Sequence, residues 1–398
     1  MKRIGIVCFA WDVWSALWKP KQHLMHYLAQ KAEVVSILFV DRDLYLSDML
    51  PNPLTSLGDR ASAGAWAKAS LQSVQRINRK IGVYTPFHYL PFSHRPGPMR
   101  RMDTRLTYFF IARRLKKKDI EHLVLLVNRV VPLELLRQFR DAKLRCLCWS
   151  DDWATFKGIS TPESVERRIE MLLKESDMVL AVSPELVERA RKFTQSTYWL
   201  PNATDFGNFA RASLAETEIA GEIVGIPRPI LGLVGYVTST LDFDLLVHVA
   251  KSRPEWSIVV IGPKLPAASW GESFFKMKNV YYLGPKPYFD LPMYMKGFDV
   301  CIIPYLTHRG VRAAESVKMY DYLATGKPVV ASTDAAGIGR FSDVIRIGRD
   351  YDDFVRQLEQ AIGETDSSRR EARQKVAKEN SWERRADEMY RLIRARLQ

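Results

Sequence analysis

The chain is 398 residues long and 47% hydrophobic, which suggests two or three domains, each with a core of its own. No run of about 18 uninterrupted apolar residues occurs, so a membrane-spanning helix is not expected. The formal net charge is +14, and residues 1–200 carry 32 Lys+Arg against 20 Asp+Glu, so most of the excess lies in that half.

Taken in order, "RIGIVCFA" (3–10) reads as a first β-strand rather than a leader, because no small-residue cleavage site follows it. An amphipathic helix over 21–32 and strand "VVSILFVD" (34–41) come next. Residues 47–105 are irregular and rich in Pro, Gly, Ser and Arg, with a helix expected near 65–79. Helix 106–118, strand 122–127, helix 131–140, strand 144–150, helix 162–175, strand 178–183 and helix 184–193 then alternate. The second half has strands at 230–237, 256–263, 279–284, 298–305 and 344–348, with helices at 242–252 and 288–297. Charged helices over 350–363 and 366–397 finish the chain. Such alternation implies an α/β protein with two Rossmann-like parallel sheets, joined near a proline-bearing stretch at 201–229. Two open sheets of this kind are expected to face each other across a cleft lined by their strand ends.

Segment 76–118 holds 12 basic residues and one acid, Asp103, interleaved with Tyr84, Phe87, Tyr89, Phe92, Tyr108, Phe109 and Phe110. A solvated charged face and a nucleic-acid surface are two readings, but no known nucleic-acid module is present. Attachment to an anionic membrane surface is the preferred one, which places the protein peripherally at the inner, cytoplasmic face. Cys8, Cys146, Cys148 and Cys301 fall in expected strands without zinc spacing, so buried free thiols are expected. His23, His26 and His88 show no metal spacing either.

The most informative stretch is "ESVKMYDYLATGKPVVAS", residues 315–332. Lys318, Asp321 and Tyr322 share one side of a short helix, Gly326 ends it, and Pro328 leads into an apolar strand. With "FDVCIIPY" (298–305) before it, this is a βαβ unit, whose helix start favours anions.

"SVKMYDYLATGKPVVAS", "WLPNATDFGNF", "LGLVGYVTSTLDFDLL", "PEWSIVVIGP" and "NVYYLGPKPYFDLPMYMKGFDVCIIPY" together resemble the group-1 glycosyltransferases of GT-B architecture, which include many bacterial polysaccharide and cell-envelope enzymes. "SDDWATF" and "ESDMVLAVSPEL" are similar to a subgroup with a double Asp. The resemblance runs from near 150 to 335. It implies an acceptor domain over 1–200, a linker over 201–229, a nucleotide-sugar domain over 230–375 and a helix over 376–398 returning to the first domain. It also implies sugar transfer from a nucleotide diphosphate to a hydroxyl of a glycan or lipid-linked glycan. Retention of configuration, no obligatory metal, no separate cofactor, and a UDP-sugar ahead of GDP- or dTDP-sugars go with it.

On the donor side the resemblance puts Asp321 on the ribose hydroxyls, and Lys318 with Ser316 and Val317 at the diphosphate. Gly235 and Tyr236 are placed beside the phosphates or sugar, and Pro285 and Lys286 at the base. Ala313 stands where the common pattern has a sugar-contacting acid, and "YVTSTLDFD" lacks the usual basic pair after Gly235. Lys264, Arg309 and Arg312 are the candidates to supply that charge. On the acceptor side, Asp151 and Asp152 follow strand 144–150 as candidate catalytic carboxylates, and Trp11, Asp12 and Trp14 form a candidate sugar platform. A sugar-nucleotide epimerase or hydrolase, and a non-catalytic membrane-associated binding protein, are the rival readings.

Overall fold

The apolar run Ile4–Phe9 (β1) is buried at every position, as a central parallel strand covered on both faces must be. The structure, a computed structural model, describes residues 2–15, 17–45, 71, 73–90, 97–115, 119–155, 161–264, 271–307 and 314–398. The chain divides into two compact units, Met1–Leu200 with Ala386–Gln398, and Pro201–Arg385.

In the first unit β1 leads to helix α1 (Pro20–Gln30), then to strands β2 (Val34–Val40), β3 (Leu44–Tyr45), β4 (Val74–Arg76), β5 (Ile81–Tyr84) and β6 (Phe87–His88). Helix α2 (Pro98–Leu115), β7 (His122–Val127), β8 (Ala142–Trp149), α3 (Pro162–Glu175), β9 (Met178–Ala181), α4 (Pro184–Arg191) and β10 (Thr197–Trp199) follow; helical turns shorter than eight residues carry no number. The sheet runs β10-β9-β8-β7-β1-β2-β5-β4, parallel except for β4 against β5, while β3 and β6 form a separate parallel pair. The chain leaves β1 on one side toward β2 and comes back on the other as β7. A topological switch point therefore lies between β1 and β7, and their carboxyl ends open a crevice there.

The second unit contains β11 (Ile230–Val234), α5 (Phe243–Ser252), β12 (Ser257–Ile261), β13 (Val280–Gly284), β14 (Val300–Ile303), α6 (Val317–Thr325), β15 (Val329–Ala331), β16 (Arg346–Ile347), α7 (Tyr351–Ile362) and α8 (Ser367–Glu379); the last helix, α9 (Trp382–Leu397), belongs to the first unit from Ala386 onward. Its parallel sheet runs β13-β12-β11-β14-β15-β16, so its switch point lies between β11 and β14. Leu231, Leu233, Ile258, Val260, Val300 and Ile302, at alternate positions of these central strands, share one apolar cluster with Leu245, Leu246 and Phe354 from the covering helices.

Several expected elements differ in the structure. In the described part of 65–79 there is no helix: Gln75 and Arg76 pair antiparallel with Val83 and Gly82. Asn78 turns the chain there by accepting the amides of Lys80 and Ile81 at 2.9 and 2.8 Å, a local turn that wins over helix propensity. Helix α2 begins at Pro98 rather than 106, proline being tolerated in a first turn. The helix expected over 366–397 breaks at Asn380, where the backbone pairs with Thr204 instead. All four cysteines are buried free thiols. Among the described residues no helix is long and apolar enough to cross a membrane.

Candidate functional site

In the second unit the stretch "PNATD" fixes the helix that carries Asp321. Asn202 Nδ2 donates to the Glu315 carbonyl at 2.9 Å, and the Thr204 hydroxyl donates to Asp321 Oδ1 at 2.7 Å. Thr204 is itself locked, its amide donating to Asn380 and its carbonyl accepting from Trp382. Asp205 caps the following turn through the Asn208 amide. Each polar residue of that stretch thus has a positional task.

Helix α6 buries Met319, Tyr320, Tyr322 and Leu323 and closes at Gly326, whose φ of 75° is the left-handed conformation glycine accepts readily. Tyr322 anchors it to the sheet, its oxygen accepting the Val234 amide at 2.8 Å at the end of β11. The other face is left for Lys318 and Asp321, both partly exposed. Asp321 has no basic partner among the described residues. Lys318 does not pair with it but lies over the Tyr305 ring, 4.9 Å from its centroid. Burial, with Thr204 opposing and Asp205 adding repulsion, raises the Asp321 carboxyl to about 8.

Lys318 spans the switch point. Tyr305 lies just past β14, and a Cβ on Gly235, just past β11, would sit 3.1 Å from Lys318 Nζ. Gly235 (φ 135°) and Gly262 (φ 140°) end the neighbouring strands β11 and β12 in conformations that L side chains avoid. A Cβ on Gly262 would meet the Gly235 carbonyl oxygen at 2.0 Å. Gly262→Ala is therefore expected to cost about 1–3 kcal/mol of stability in this unit. Chemical denaturation followed by far-UV circular dichroism checks it, with Gly221→Ala, where nothing lies near the added methyl, as control.

At the start of α6, Ser316 is buried and its hydroxyl has no hydrogen-bond partner among the described residues. First-turn amides of a helix have no intrahelical acceptor, so with Ser316 and Lys318 they form an anion-favouring pole. Glu315 does not point there. It is buried against Arg340 and the Tyr320 hydroxyl, with burial raising its pKa. The other expected donor residues have their own partners. Lys264 lies 3.4 and 4.1 Å from the Phe275 and Tyr282 ring centroids, and Lys286 pairs with Glu222 at 2.7 Å. Tyr236 is half-buried beside Gly235, Val317 is half-buried in the first turn of α6, and Pro285 is exposed after β13. Arg309, Arg312 and Ala313 lie outside the described residues.

In the first unit, carboxylates gather past β1, β2 and β8. Asp12 pairs with Lys19 at 2.8 Å, and Asp41 accepts the Trp14 amide and the Thr85 hydroxyl, both at 2.9 Å. Trp14 packs edge-on against Phe39, whereas Trp11 is 48% exposed. Asp151 is partly exposed, and burial, with repulsion from Asp12 added, raises it to about 6 while Ser150 and Lys21 oppose. Asp152 is different. Its side chain is wholly buried and pairs with Arg189 at 3.2 Å, and that guanidinium lies over the Trp149 ring. The adjacent acids thus split into one that faces outward and one that fastens the loop to α4.

Residues 244–391 match the family described as Glycosyl transferase-like. A curated relative, whose name assigns it to teichuronic acid biosynthesis in Bacillus subtilis (strain 168) as the glycosyltransferase TuaH, is 29% identical over 161 residues. That match covers 38% of this chain and 40% of the relative, so the chain spans well under half of that protein's length. Among solved structures, sucrose-phosphate synthase from Thermosynechococcus elongatus is similar over 99% of both chains, with a TM-score of 0.67 at 14% identity. Anabaena HepE, solved in complex with UDP, is similar over 99% of this chain and 100% of its own, with a TM-score of 0.64 at 10% identity. WaaG, a glycosyltransferase involved in lipopolysaccharide biosynthesis, is similar over 97% and 98%, with a TM-score of 0.61 at 12% identity.

The chain has the GT-B glycosyltransferase fold.

Sequence reasoning about this GT-B chain missed Thr204 and Tyr305, which frame Asp321 and Lys318, and Lys21, which acts on Asp151. Thr204 had a signal, since it stands in the quoted stretch "WLPNATDFGNF". Tyr305 closes the quoted strand "FDVCIIPY" in the same way, whereas Lys21 had none, because only folding brings it to Asp151. Also unforeseen is a buried cluster in the GT-B chain's first unit. His88 sits between Asp43 and Asp103, and Arg129 grips Asp43 through both guanidinium nitrogens. Burial disfavours the His88 cation, yet hydrogen bonds to Asp103 and Asp43 raise it to about 9.

Proposed function

We propose that the protein is a glycosyltransferase that moves a sugar from a nucleotide diphosphate to a hydroxyl of a glycan or lipid-linked glycan. The observation that carries this reading is Asp321, an acid kept without a cationic partner among the described residues, on the helix that starts at Ser316, whose hydroxyl has no hydrogen-bond partner among them either. Burying such a group works against stability, so its retention favours a ligand that satisfies it. A ribose diol does so, since a carboxylate accepts from two adjacent hydroxyls at once. Ser316, Val317 and Lys318 receive the diphosphate, and Lys318 with the helix pole stabilises the leaving nucleotide. That is charge work a metal does elsewhere, and the transfer is read as metal-independent on that account. Gly235 and Tyr236 border the sugar, and Pro285 meets the base.

Asp151 orients or deprotonates the acceptor hydroxyl, and Trp11, Asp12 and Trp14 form the platform for the acceptor sugar. A polysaccharide acceptor is supported by the relative's name and by WaaG's role in lipopolysaccharide biosynthesis. A UDP-sugar donor is supported by the UDP seen with HepE. Retention of anomeric configuration follows from the resemblance of the donor motifs.

Titration calorimetry with UDP-, GDP- and dTDP-sugars tests the reading. Asp321→Ala is expected to lose about 1–3 kcal/mol of nucleotide binding. Asp321→Asn separates function from stability. Because the folded group holds its proton up to about 8, against 3.8 when free, wild-type stability falls as pH rises through that window. The Asn variant is expected to lack that fall, to melt no lower than wild type at pH 8, and yet to bind nucleotide more weakly. Unchanged affinity in both variants overturns the assignment. Release of free sugar from donor alone, at the rate seen with acceptor present, points to a hydrolase instead.

A further inference from the structure

Helix α2 is built inside out. The side it turns to its own unit carries Asp103, Thr104, Thr107 and Ile111, three of them polar. The two threonine hydroxyls donate back to the carbonyls of Arg101 and Asp103 at 2.9 and 3.0 Å, and Asp103 is spent on His88. The outward side carries the large apolar residues instead. Met99 and Met102 are each 47% exposed, Leu106 is 42% and Phe109 is 54%. They follow one another at intervals of three and four, so they form a single stripe along about 15 Å of helix. A helix facing water normally has the opposite arrangement.

Arg101, Arg105 and Arg113 flank the stripe, are exposed, and have no carboxylate partner among the described residues. The helix's one acid, Asp103, is buried. A second copy of the chain seated here would cover the stripe but would bring these arginines against their own counterparts. An anionic lipid surface covers the stripe and neutralises them together. We propose that α2 lies in the plane of an anionic bilayer, with Met99, Met102, Leu106 and Phe109 in the interfacial zone and the three arginines among the headgroups. The proposal stands apart from the transfer reading, because none of its residues belongs to the donor or acceptor site. It also narrows the basic segment recognised in the sequence, since Tyr84, Phe87 and His88 are core residues, while Phe92, Arg95, Lys116, Lys117 and Lys118 lie outside the described residues.

Vesicle flotation of the full chain tests it, with phosphatidylcholine alone and with phosphatidylglycerol added. Wild type is expected to float with the anionic vesicles and to be released by salt, with binding to the neutral ones at least about tenfold weaker. Met102→Ser with Phe109→Ser, and separately Arg101→Glu with Arg105→Glu, are each expected to weaken binding by at least about tenfold at unchanged melting temperature. The residues are exposed, so the fold tolerates both pairs, and each pair reads the face independently. Wild type left at the bottom with every vesicle overturns the proposal, as do variants that float like wild type. Variants that turn a dimer into a monomer without altering flotation also overturn it and assign the face to a second copy.

Discussion

Asp151→Asn is expected to lower turnover by about 10²–10⁴-fold while nucleotide affinity, measured by calorimetry, stays within about twofold of wild type. The asymmetry follows from placement. Asp151 follows β8 in the first unit, whereas every proposed nucleotide contact belongs to the second. Its carboxyl is raised to about 6, first by burial and then by Asp12, so at neutral pH it is mostly ionised and still basic enough to take a proton. Turnover is expected to fall on acidification with a midpoint near that value. Removing Lys21, which lowers the Asp151 pKa, is expected to move the midpoint upward. Asp152→Asn is the contrasting variant. Its ion pair with Arg189 fastens the loop, so loss of stability, rather than a displaced pH profile, is the expected signature. A pH profile unchanged in Asp151→Asn would remove this residue from the chemistry.

The second large effect is structural. His88→Ala is expected to destabilise the first unit by about 3–5 kcal/mol, because it leaves Asp103 and Asp43 buried without their shared cation. The pH dependence has a definite sign. The imidazole is raised from 6.5 to about 9 in the folded unit, so its contribution is complete below 6.5 and is lost as pH climbs through 9. Wild-type midpoints in urea are expected to fall across that window, and those of His88→Gln to stay level. Tryptophan fluorescence reports on the correct unit, since seven of the ten tryptophans lie in residues 1–200. The cluster holds the start of α2, through Asp103, to the β3–β6 pair and to the segment after β7. Its loss is therefore expected to loosen the same helix whose outer face is offered to lipid.

The α/β alternation was legible from apolar runs and glycine stops, since a parallel strand buried on both faces has to be apolar throughout. Asp321 and Lys318 were legible as well, because helical spacing alone puts them on one side of a short helix that opens after a strand. What spacing did not convey was that they do not pair. Lys318 turns to Tyr305 and Gly235 while Asp321 turns to Thr204, and those partners come from other strands and from the linker. The different fates of Asp151 and Asp152 were hidden for the same reason, since Arg189 reaches only one of them. Segment 76–118 shows the limit most clearly. Its charge was visible in the chain, but which of its residues became core and which became surface depended on how α2 settled. That was decided by Asp103 meeting His88, and no local pattern encodes such a contact. Local sequence thus determined which elements form and which residues share a face. Only tertiary packing determined which charges were neutralised and which were left for a ligand, because a pKa depends on what lies within a few ångströms in space.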